Sequence, residues 1–277
     1  MMTTPHPTHR SVGDHLREWR QRRRLSQLEL ACEADISTRH LSFLETGRSQ
    51  PSRDMVLHLA ERLEVPLRER NAILVAAGYA PVYPERKLDD PALSAAREAI
   101  RLVLAGHEPS PAIAVDRHWQ LVAANTAVGP LIAGADPALL KPPVNVLKLS
   151  LHPQGTAPRI LNFAQWRGHV FDRLRRQIAM SADPVLMDLL RELEDYMAPA
   201  TLDQRDESVG HGDPAGFVVP LRLAYEGQVL TFLSTTTVFG TPVDVSLEEL
   251  AIESFFPVDA ATAEILRRLA LPAATQQ

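Results

Sequence analysis

Residues 12–79 contain five short helical patterns separated by turns of only a few residues. Ser26 and, three residues later, Glu29 form a capping-box pattern before the second of them. Ser52 stands as a cap before the fourth, in which apolar residues recur at helical spacing. No unit of the pattern repeats along the chain. Five helices in so short a segment predict a compact all-α bundle.

The third helical pattern lies in the stretch ISTRHLSFLETGRSQPS, residues 36–52, and has an unusual outward face. If Leu41 and Leu44 point into a core, the rotation of about 100° per residue in an α-helix places polar, basic and aromatic side chains on the opposite face. That group consists of Thr38, Arg39, Ser42 and Phe43. Gly47 ends the pattern.

Two helices joined by a turn of three or four residues, the second with exposed polar side chains, form a helix-turn-helix arrangement. The first of the two spans residues 27–34, and the recognition helix runs from Thr38 to Glu45. Because a recognition helix enters the major groove by its N-terminal half, we expect its outward side chains to contact bases. Arg39 can bond bidentately to guanine, and Phe43 can touch a thymine methyl group or pack over the Arg39 stem.

Two further side chains suit the DNA backbone. Gln27 opens the helix before the turn, where free N–H groups favour a phosphate oxygen, and Arg48 lies in the loop after the recognition helix. We expect both to contact phosphates, which positions the domain without distinguishing one sequence from another.

Charge is unevenly distributed along the chain. Residues 1–83 hold 12 basic and 10 acidic residues, a net of +2, whereas the remainder holds 17 and 24, a net of −7. The run RQRRR, residues 20–24, is a denser local source of positive charge. A net of +2 is weak evidence for a nucleic-acid partner by itself.

Composition excludes several classes of protein. No stretch approaches 18 uninterrupted apolar residues and no apolar signal segment opens the chain, so we expect a cytoplasmic protein without a membrane partner. The single cysteine, Cys32, excludes an intramolecular disulfide framework and supplies no metal pair. Phosphate-binding loops and nucleophile or zinc motifs are missing and the histidines are scattered, so we expect no enzyme, metal or cofactor.

Residues 80–91, APVYPERKLDDP, interrupt the helical pattern with three prolines and predict a linker. Beyond it, residues 92–270 mix helical and strand patterns. Apolar runs on either side of Asp116-Arg117 predict a tight hairpin, and Val- and Thr-rich runs around Glu226-Gly227 predict a second one. With one more strand near residues 248–259, this part predicts an α+β domain with an antiparallel sheet of about five strands. Residues 1–11 and 271–277 are predicted tails.

The segment LSQLELACEADISTRHLSFLETGRSQPS resembles the lambda-repressor-like, XRE-type helix-turn-helix, over roughly residues 12–78. The resemblance implies an ion pair between Glu45 and Arg20 that ties the recognition helix to the first helix. Asp35 stands at the turn position where that family usually has glycine. Aspartate adopts the left-handed conformation more readily than most residues, so we expect the same fold with a small strain.

Past the linker, RHWQLVAAN, RILNFAQWRGHVFDRLRRQ and FLSTTTVFGTPVDVSLEELAIESFFPVDAAT resemble the ligand-binding domain of MmyB-like (MltR-type) transcription regulators, a PAS-like fold, over about residues 92–270. The resemblance implies a domain that holds a small, largely apolar ligand such as a fatty acid. Trp166, Arg167 and His169 are the pocket candidates, and Arg173 or Arg159 are alternatives to Arg167 for meeting a carboxylate. The large apolar side chains could equally fill a core without a cavity.

The sequence therefore predicts a multi-domain protein, in which an all-α lambda-repressor-like domain precedes an α+β PAS-like domain. The expected function is that of a bacterial sequence-specific transcription regulator. It would bind a double-stranded DNA operator, as a homodimer, under the control of a small-molecule effector. Two alternatives remain at this point: a DNA-binding module fused to a metabolite-converting enzyme, and one fused to a protein-interaction domain without a ligand.

Overall fold

The computed structural model describes residues 10–197, 219–240, 242 and 244–270. Most of the two predicted tails lies outside these residues. The chain divides into two compact units, and the first comprises the described residues up to Lys87 together with those between 241 and 248. None of the described helices is long and apolar enough to cross a membrane.

The first unit contains the five predicted helices, which confirms the all-α helix-turn-helix domain. They are α1 (Val12–Arg22), α2 (Gln27–Glu33), α3 (Thr38–Glu45), α4 (Arg53–Arg62) and α5 (Leu67–Ala76). Serine hydroxyls cap the first four, and Ser11 and Ser26 do so in full capping boxes, since an acidic side chain three residues later bonds back to the cap. The shared core is built from α-helical leucines, of which Leu16, Leu30, Leu41, Leu44 and Leu59 are fully buried.

Two backbone features let α1, α2 and α3 pack closely. Asp35, in the turn between α2 and α3, has φ of 51°, so the left-handed conformation expected of it is present. Gly13 lies where α1 crosses the end of α3, and a Cβ atom there would come within 2.6 Å of the Leu44 carbonyl oxygen. Any side chain at residue 13 would push the two helices apart.

The second unit is the predicted α+β domain. Its curled antiparallel sheet has five strands in the order β2-β1-β5-β4-β3. The strands are β1 (Ala112–Val115), β2 (Leu121–Ala124), β3 (Leu221–Tyr225), β4 (Gln228–Val238) and β5 (Ala251–Pro257). Its helices are α6 (Ser94–Gly106), α7 (Val128–Ile132), α8 (Val146–Leu151), α9 (Phe163–Ser181), α10 (Pro184–Glu194) and α12 (Ala260–Ala270).

One predicted hairpin has the expected turn and the other does not. Glu226 and Gly227 join β3 to β4 with positive φ at both residues, as a two-residue hairpin of the right twist requires. The connection from β1 to β2 is five residues long, so the predicted tight turn at Asp116-Arg117 is wrong. Asp116 instead accepts hydrogen bonds from the N–H groups of His118 and Gln120, and these bonds hold a wider loop.

Residues 244–248, which contain the short helix α11 (Val245–Glu248), pack with the first unit although they join β4 to β5 along the chain. We call them the β4–β5 segment. The predicted linker, residues 80–91, contains no α-helix or strand, and part of it is held in place by Asn71 of α5. The Asn71 side chain accepts from the N–H groups of Val82 and Tyr83 and donates to the Tyr83 carbonyl oxygen.

Substitution of Gly13 by alanine tests the close approach of α1 and α3. We expect Gly13→Ala to destabilise the protein by about 1–3 kcal/mol, the usual cost of overpacking a core, although alanine is the better helix former. Gly168→Ala is the matched control, because Gly168 lies within α9 with open space around its Cα. Thermal unfolding followed by circular dichroism compares the two. A Gly13→Ala protein as stable as the control would contradict the close approach.

Candidate DNA-binding surface and ligand cavity

The recognition helix α3 presents its inner and outer faces as the helical spacing predicts. Leu41, Leu44 and Glu45 are buried, whereas Arg39 is exposed. The other three predicted base-contacting side chains, Thr38, Ser42 and Phe43, are partly exposed. The Ser37 hydroxyl caps the helix by accepting from the N–H of His40.

Two arginines meet on the ring of Phe43. The Cζ atom of Arg39 lies 5.3 Å from the ring centroid and that of Arg48 lies 5.9 Å from it. Both are cation–π distances, which favour a stacked guanidinium. Neither arginine forms an ion pair with any of the residues that the structure describes. This Phe43 cluster, Arg39, Phe43 and Arg48, therefore offers two uncompensated positive charges held around one aromatic ring.

Behind this surface, the carboxylate of Glu45 joins three elements. Arg20 of α1 donates from Nε to Oε1 at 2.6 Å and from Nη2 to Oε2 at 2.9 Å, and Gln27 of α2 donates its amide to Oε2 at 2.8 Å. Arg17 adds a bond to the Glu45 carbonyl oxygen at 2.7 Å. Glu45 is only 2% exposed, so these partners replace its lost hydration.

The location of Gln27 differs from the sequence-based expectation of a phosphate contact. Its side-chain amide is directed to Glu45 inside the domain, because α2 begins beside the end of α3. Sequence reasoning missed this contact because it depends on how the two helices pack and not on spacing within either one. The N–H of Glu29 in the first turn of α2 is bonded to the Ser26 hydroxyl, whereas the side chain of Arg48 forms no hydrogen bond or ion pair with the described residues.

The second unit contains a partly open cavity of about 160 Å³. Its walls come from the sheet and from α7, α8 and α9, and most of the side chains that form them are apolar. Representative lining residues are Ile113, Leu121, Leu147, Val170 and Phe232. The alternative of a fully packed core without a cavity is therefore wrong for this domain.

Two of the three predicted pocket residues line this cavity. Trp166 stacks on His169 with ring centroids 5.5 Å apart, and its indole N–H donates to the Ser150 hydroxyl at 3.0 Å. Burial lowers the pKa of His169, and the positive charges of Arg173 and Arg176 lower it further. The imidazole is therefore neutral near pH 7.

Arg167, the third predicted pocket residue, does not line the cavity. It follows Trp166 by one position, and a rotation of about 100° directs it away. Its guanidinium donates to the Glu194 carbonyl oxygen at 2.9 Å and stacks on Phe171. Arg159 is also absent from the walls and donates to the carbonyl oxygen of Leu131.

Arg173 lines the cavity, and its guanidinium is paired with a carboxylate. Its guanidinium forms a two-pronged ion pair with Glu253 of β5, with Nη1 to Oε2 at 2.8 Å, and donates from Nη2 to the Thr236 hydroxyl at 2.7 Å. It also stacks on Trp119 at 4.6 Å. Sequence reasoning missed Glu253 because it lies within a strand pattern, 80 positions from its partner.

Among the described residues, no group of histidine, cysteine, aspartate and glutamate side chains could hold a metal ion. The polar groups of the cavity are instead suited to hydrogen bonding.

Because the buried Glu45 carboxylate is bonded to Arg20 and Gln27, we expect the stability of the first unit to depend on pH. Burial raises the pKa of Glu45, but hydrogen bonds from Arg20 and Gln27 and the charges of Arg20 and Arg17 outweigh it, so the pKa lies below the ordinary 4.5. A lowered pKa stabilises the fold above pH 4.5, and this contribution is lost as the pH falls through the folded-state pKa. We expect Glu45→Gln to lower the free energy of unfolding by about 3 kcal/mol at pH 7. The free energy of unfolding of this variant should also fall less steeply as the pH is lowered.

Amide hydrogen exchange in α1 and α3 at pH 7 and under acidic conditions measures this effect within the first unit. Glu33→Gln is the matched control, because Glu33 is an exposed carboxylate of α2 with no ion pair among the described residues. Equal protection in the two variants at pH 7 would contradict the role given to Glu45.

Comparison with family models supplies two matches. Residues 96–269 match the MmyB-like transcription regulator ligand binding domain, and residues 11–73 match a helix-turn-helix domain. A comparison with proteins of curated function found no match. Both matched families are regulatory, and together they have the composition of a ligand-responsive, DNA-binding transcription regulator. Because the first match covers well over half of the sequence, the chain belongs to the MmyB-like transcription regulators.

Proposed function

We propose that the protein reads a specific DNA operator with α3 and that a small, largely apolar molecule bound in the cavity changes the affinity for that operator. The single observation that carries the DNA-reading part is the Phe43 cluster. Its two arginines are exposed on the outward side of a recognition helix and have no acidic partner among the described residues.

In this proposal Arg39 bonds to O6 and N7 of a guanine, and Phe43 holds the guanidinium in place from one side. The edge of Phe43 then meets the methyl group of a neighbouring thymine, while Thr38 and Ser42 offer hydroxyl groups to bases. Arg48 and the start of α2, including the remaining amide hydrogen of Gln27, contact phosphates.

The proposed regulator works as a homodimer in the cytoplasm, where its operator would be. One recognition helix of eight residues contacts only a few base pairs. Two copies spaced by one helical turn of DNA, about 34 Å, would read a pseudo-palindrome and multiply the specificity.

The sensing part rests on the size and chemistry of the cavity. Each methylene group that leaves water for such an apolar site gains about 0.8 kcal/mol. An apolar cavity of about 150 Å³ accommodates benzene, so the 160 Å³ of this partly open cavity gives room for an apolar segment of a ligand.

The β4–β5 segment supports an effect of this ligand on the DNA-binding unit. Asp244 is only 1% exposed and accepts from Arg86 at 3.0 Å. The Val245 N–H donates to the Pro84 carbonyl oxygen at 2.9 Å, and the Ser246 hydroxyl donates to the Arg86 carbonyl oxygen at 2.6 Å. Residues 244–248, which lie between the two cavity-lining strands along the chain, thus pack within the first unit.

The same segment caps a helix of the first unit. Pro66 precedes α5 and has no side chain that can accept a hydrogen bond, so the first N–H groups of α5 need a partner from elsewhere. Glu248 supplies one, because its Oε2 accepts from the Leu67 N–H at 2.7 Å. The negative carboxylate also suits the positive end of the helix dipole.

Phe232 and Ser234 of β4 line the cavity, and so does Glu253 of β5. Glu248, which caps α5, lies between these two strands along the chain. A ligand that displaces β4 or β5 would pull on the cap and on the helices packed against α5. A coupling free energy of about 1–3 kcal/mol is typical for such regulation and changes operator occupancy about 5–150-fold.

Selection of binding sites from random duplex DNA, at one stated salt concentration, tests the proposed function. We expect a motif of two half-sites for the wild-type protein. Arg39→Ala should cost about 1–3 kcal/mol at the selected site and relax the preference at one base pair. Arg48→Ala, the matched control, should weaken binding to all sequences alike and reduce its salt dependence.

Replacing thymine by deoxyuridine next to the relevant guanine removes only the methyl group, so it isolates the contact assigned to Phe43. An unchanged site preference in Arg39→Ala would show that another face of α3 meets the bases. Failure of the folded wild-type protein to enrich any sequence would remove the DNA-reading proposal.

A further inference from the structure

We propose that two copies of the chain associate through strand β2, so that the sheets of two second units join edge to edge beside α6. This inference rests on the homodimer of the proposed function and names the surface that forms it. An open strand edge and two charged side chains of α6 point to this arrangement.

The two outer edges of the five-stranded sheet differ. The edge of β3 is covered, because the Leu161 N–H donates to the Arg222 carbonyl oxygen at 2.8 Å and the Asn162 side chain accepts from the Arg222 N–H at 3.1 Å. The start of β2 is covered in the same way by Val144, whose carbonyl oxygen accepts from the Leu121 N–H at 2.7 Å. The end of β2 has no such cover among the residues that the structure describes.

Ala124 is the residue whose backbone this open end leaves available. The Asn125 N–H donates to the carbonyl oxygen of Ala112 in β1 at 3.0 Å. Because the backbone groups of successive residues in a strand point to opposite sides, the N–H and carbonyl of Ala124 point away from β1. Antiparallel pairing with β2 of a second copy, centred on Ala124, would let the two copies exchange both hydrogen bonds. β2 reads LVAA and has no charged residue or proline that would discourage such pairing.

An open groove runs beside this edge, between one face of α6 and β2. Its α6 side is lined by residues at helical spacing from Arg97 to Glu108, and its β2 side by Val122, Ala123 and Ala124. α6 packs on β1, the next strand of the sheet. In a joined sheet the two α6 helices would therefore lie three strand spacings apart, about 14 Å, whereas directly packed helices lie about 8–10 Å apart. Long side chains would thus meet across the groove.

Two long charged side chains of the groove have no ion pair among the described residues. Glu108 accepts with Oε1 from the N–H and the hydroxyl of Thr126, just past the end of β2, at 2.7 and 2.8 Å, and its Oε2 has no hydrogen-bond partner there. Arg97 donates to the carbonyl oxygens of Leu88 and Asp90, at 2.6 and 2.7 Å, and to no carboxylate. Each charge is therefore available to a partner of opposite sign.

Arg97 and Glu108 are too far apart to pair within one copy. They are three helical turns apart on the same face of α6, with about 16 Å between them along the helix. An antiparallel two-fold arrangement reverses the order of these two residues in the second copy. Arg97 of one copy then faces the partner's Glu108, and an equivalent pair forms at the other end. A two-fold interface requires this kind of self-complementary surface.

Two charge reversals and their mixture test this interface in the full chain. Arg97→Glu and Glu108→Arg should each weaken self-association about tenfold or more in sedimentation equilibrium, because like charges then face each other at both ends. An equimolar mixture of the two variants should restore association to within about threefold of the wild type, since both contacts of the mixed dimer join opposite charges. Arg191→Glu, an exposed residue of α10 outside the groove, is the matched control and should leave association unchanged.

A mixture that associates no better than either variant alone would overturn the inference, and so would single variants that associate like the wild type. In both cases the wild-type dimer of the proposed function would remain and would use another surface. A wild-type protein that stays monomeric, both free and on its selected operator, would remove the homodimer and this interface together.

Hydrogen exchange of the wild-type chain needs no variant and decides the question if a charge reversal prevents folding. The amide of Ala124 should exchange more slowly at concentrations where the protein is dimeric than where it is monomeric, because pairing with the second copy occupies it. Peptides that contain β2, followed by mass spectrometry, report this protection. Equal exchange of β2 at the two concentrations would overturn the inference.

Discussion

The carboxylate of Glu45 fixes the recognition helix against α1 and α2, with the side chains of Arg39 and Phe43 on its outward face. It is almost fully buried, it is bonded to α1 through Arg20 and to α2 through Gln27, and its own backbone carbonyl is bonded to Arg17. A buried charge of this kind is costly unless every partner is in place, so it favours one arrangement of the three helices over its neighbours. The close approach at Gly13 and the left-handed turn at Asp35 allow that arrangement.

The second unit uses a buried ion pair in a different way. Arg173 and Glu253 close the polar end of a cavity whose other walls are mostly apolar, and they neutralise each other there. The cavity thus combines mostly apolar walls with a charged pair that is already hydrogen-bonded. In both units a buried carboxylate is compensated by an arginine: Glu45 by Arg20 in the first, and Glu253 by Arg173 in the second.

Local patterns in the sequence predicted much of this fold. The five helices, the caps at Ser26 and Ser52, the left-handed Asp35 and both antiparallel hairpins follow from spacing and residue type within short segments. The outward face of α3 followed from helical geometry alone. Trp166 and His169 were identified as pocket residues because the motif that contains them resembles that of a known ligand-binding domain.

The remaining features depend on residues that are distant in sequence. The Gln27–Glu45 contact, the Arg173–Glu253 pair and the cap that Glu248 places on α5 each join elements whose separation no local pattern encodes. Arg167 was chosen in place of Arg173 because, without the packing of α9, the arginines of that helix cannot be told apart. The packing of residues 244–248 with the first unit was missed for the same reason, since their sequence continues that of the second domain.

In the proposed regulator, a ligand in the cavity changes the affinity for the operator through the β4–β5 segment. The most direct measurement is fluorescence anisotropy of a labelled operator duplex titrated with protein, with and without saturating benzamide as a small probe ligand, for the wild type and for Glu248→Ala. We expect benzamide to change the operator affinity of the wild type about fivefold or more, and loss of the α5 cap to reduce this change while DNA and benzamide still bind. If benzamide fills the cavity and leaves the operator affinity of the wild type unchanged, the cavity does not regulate DNA binding.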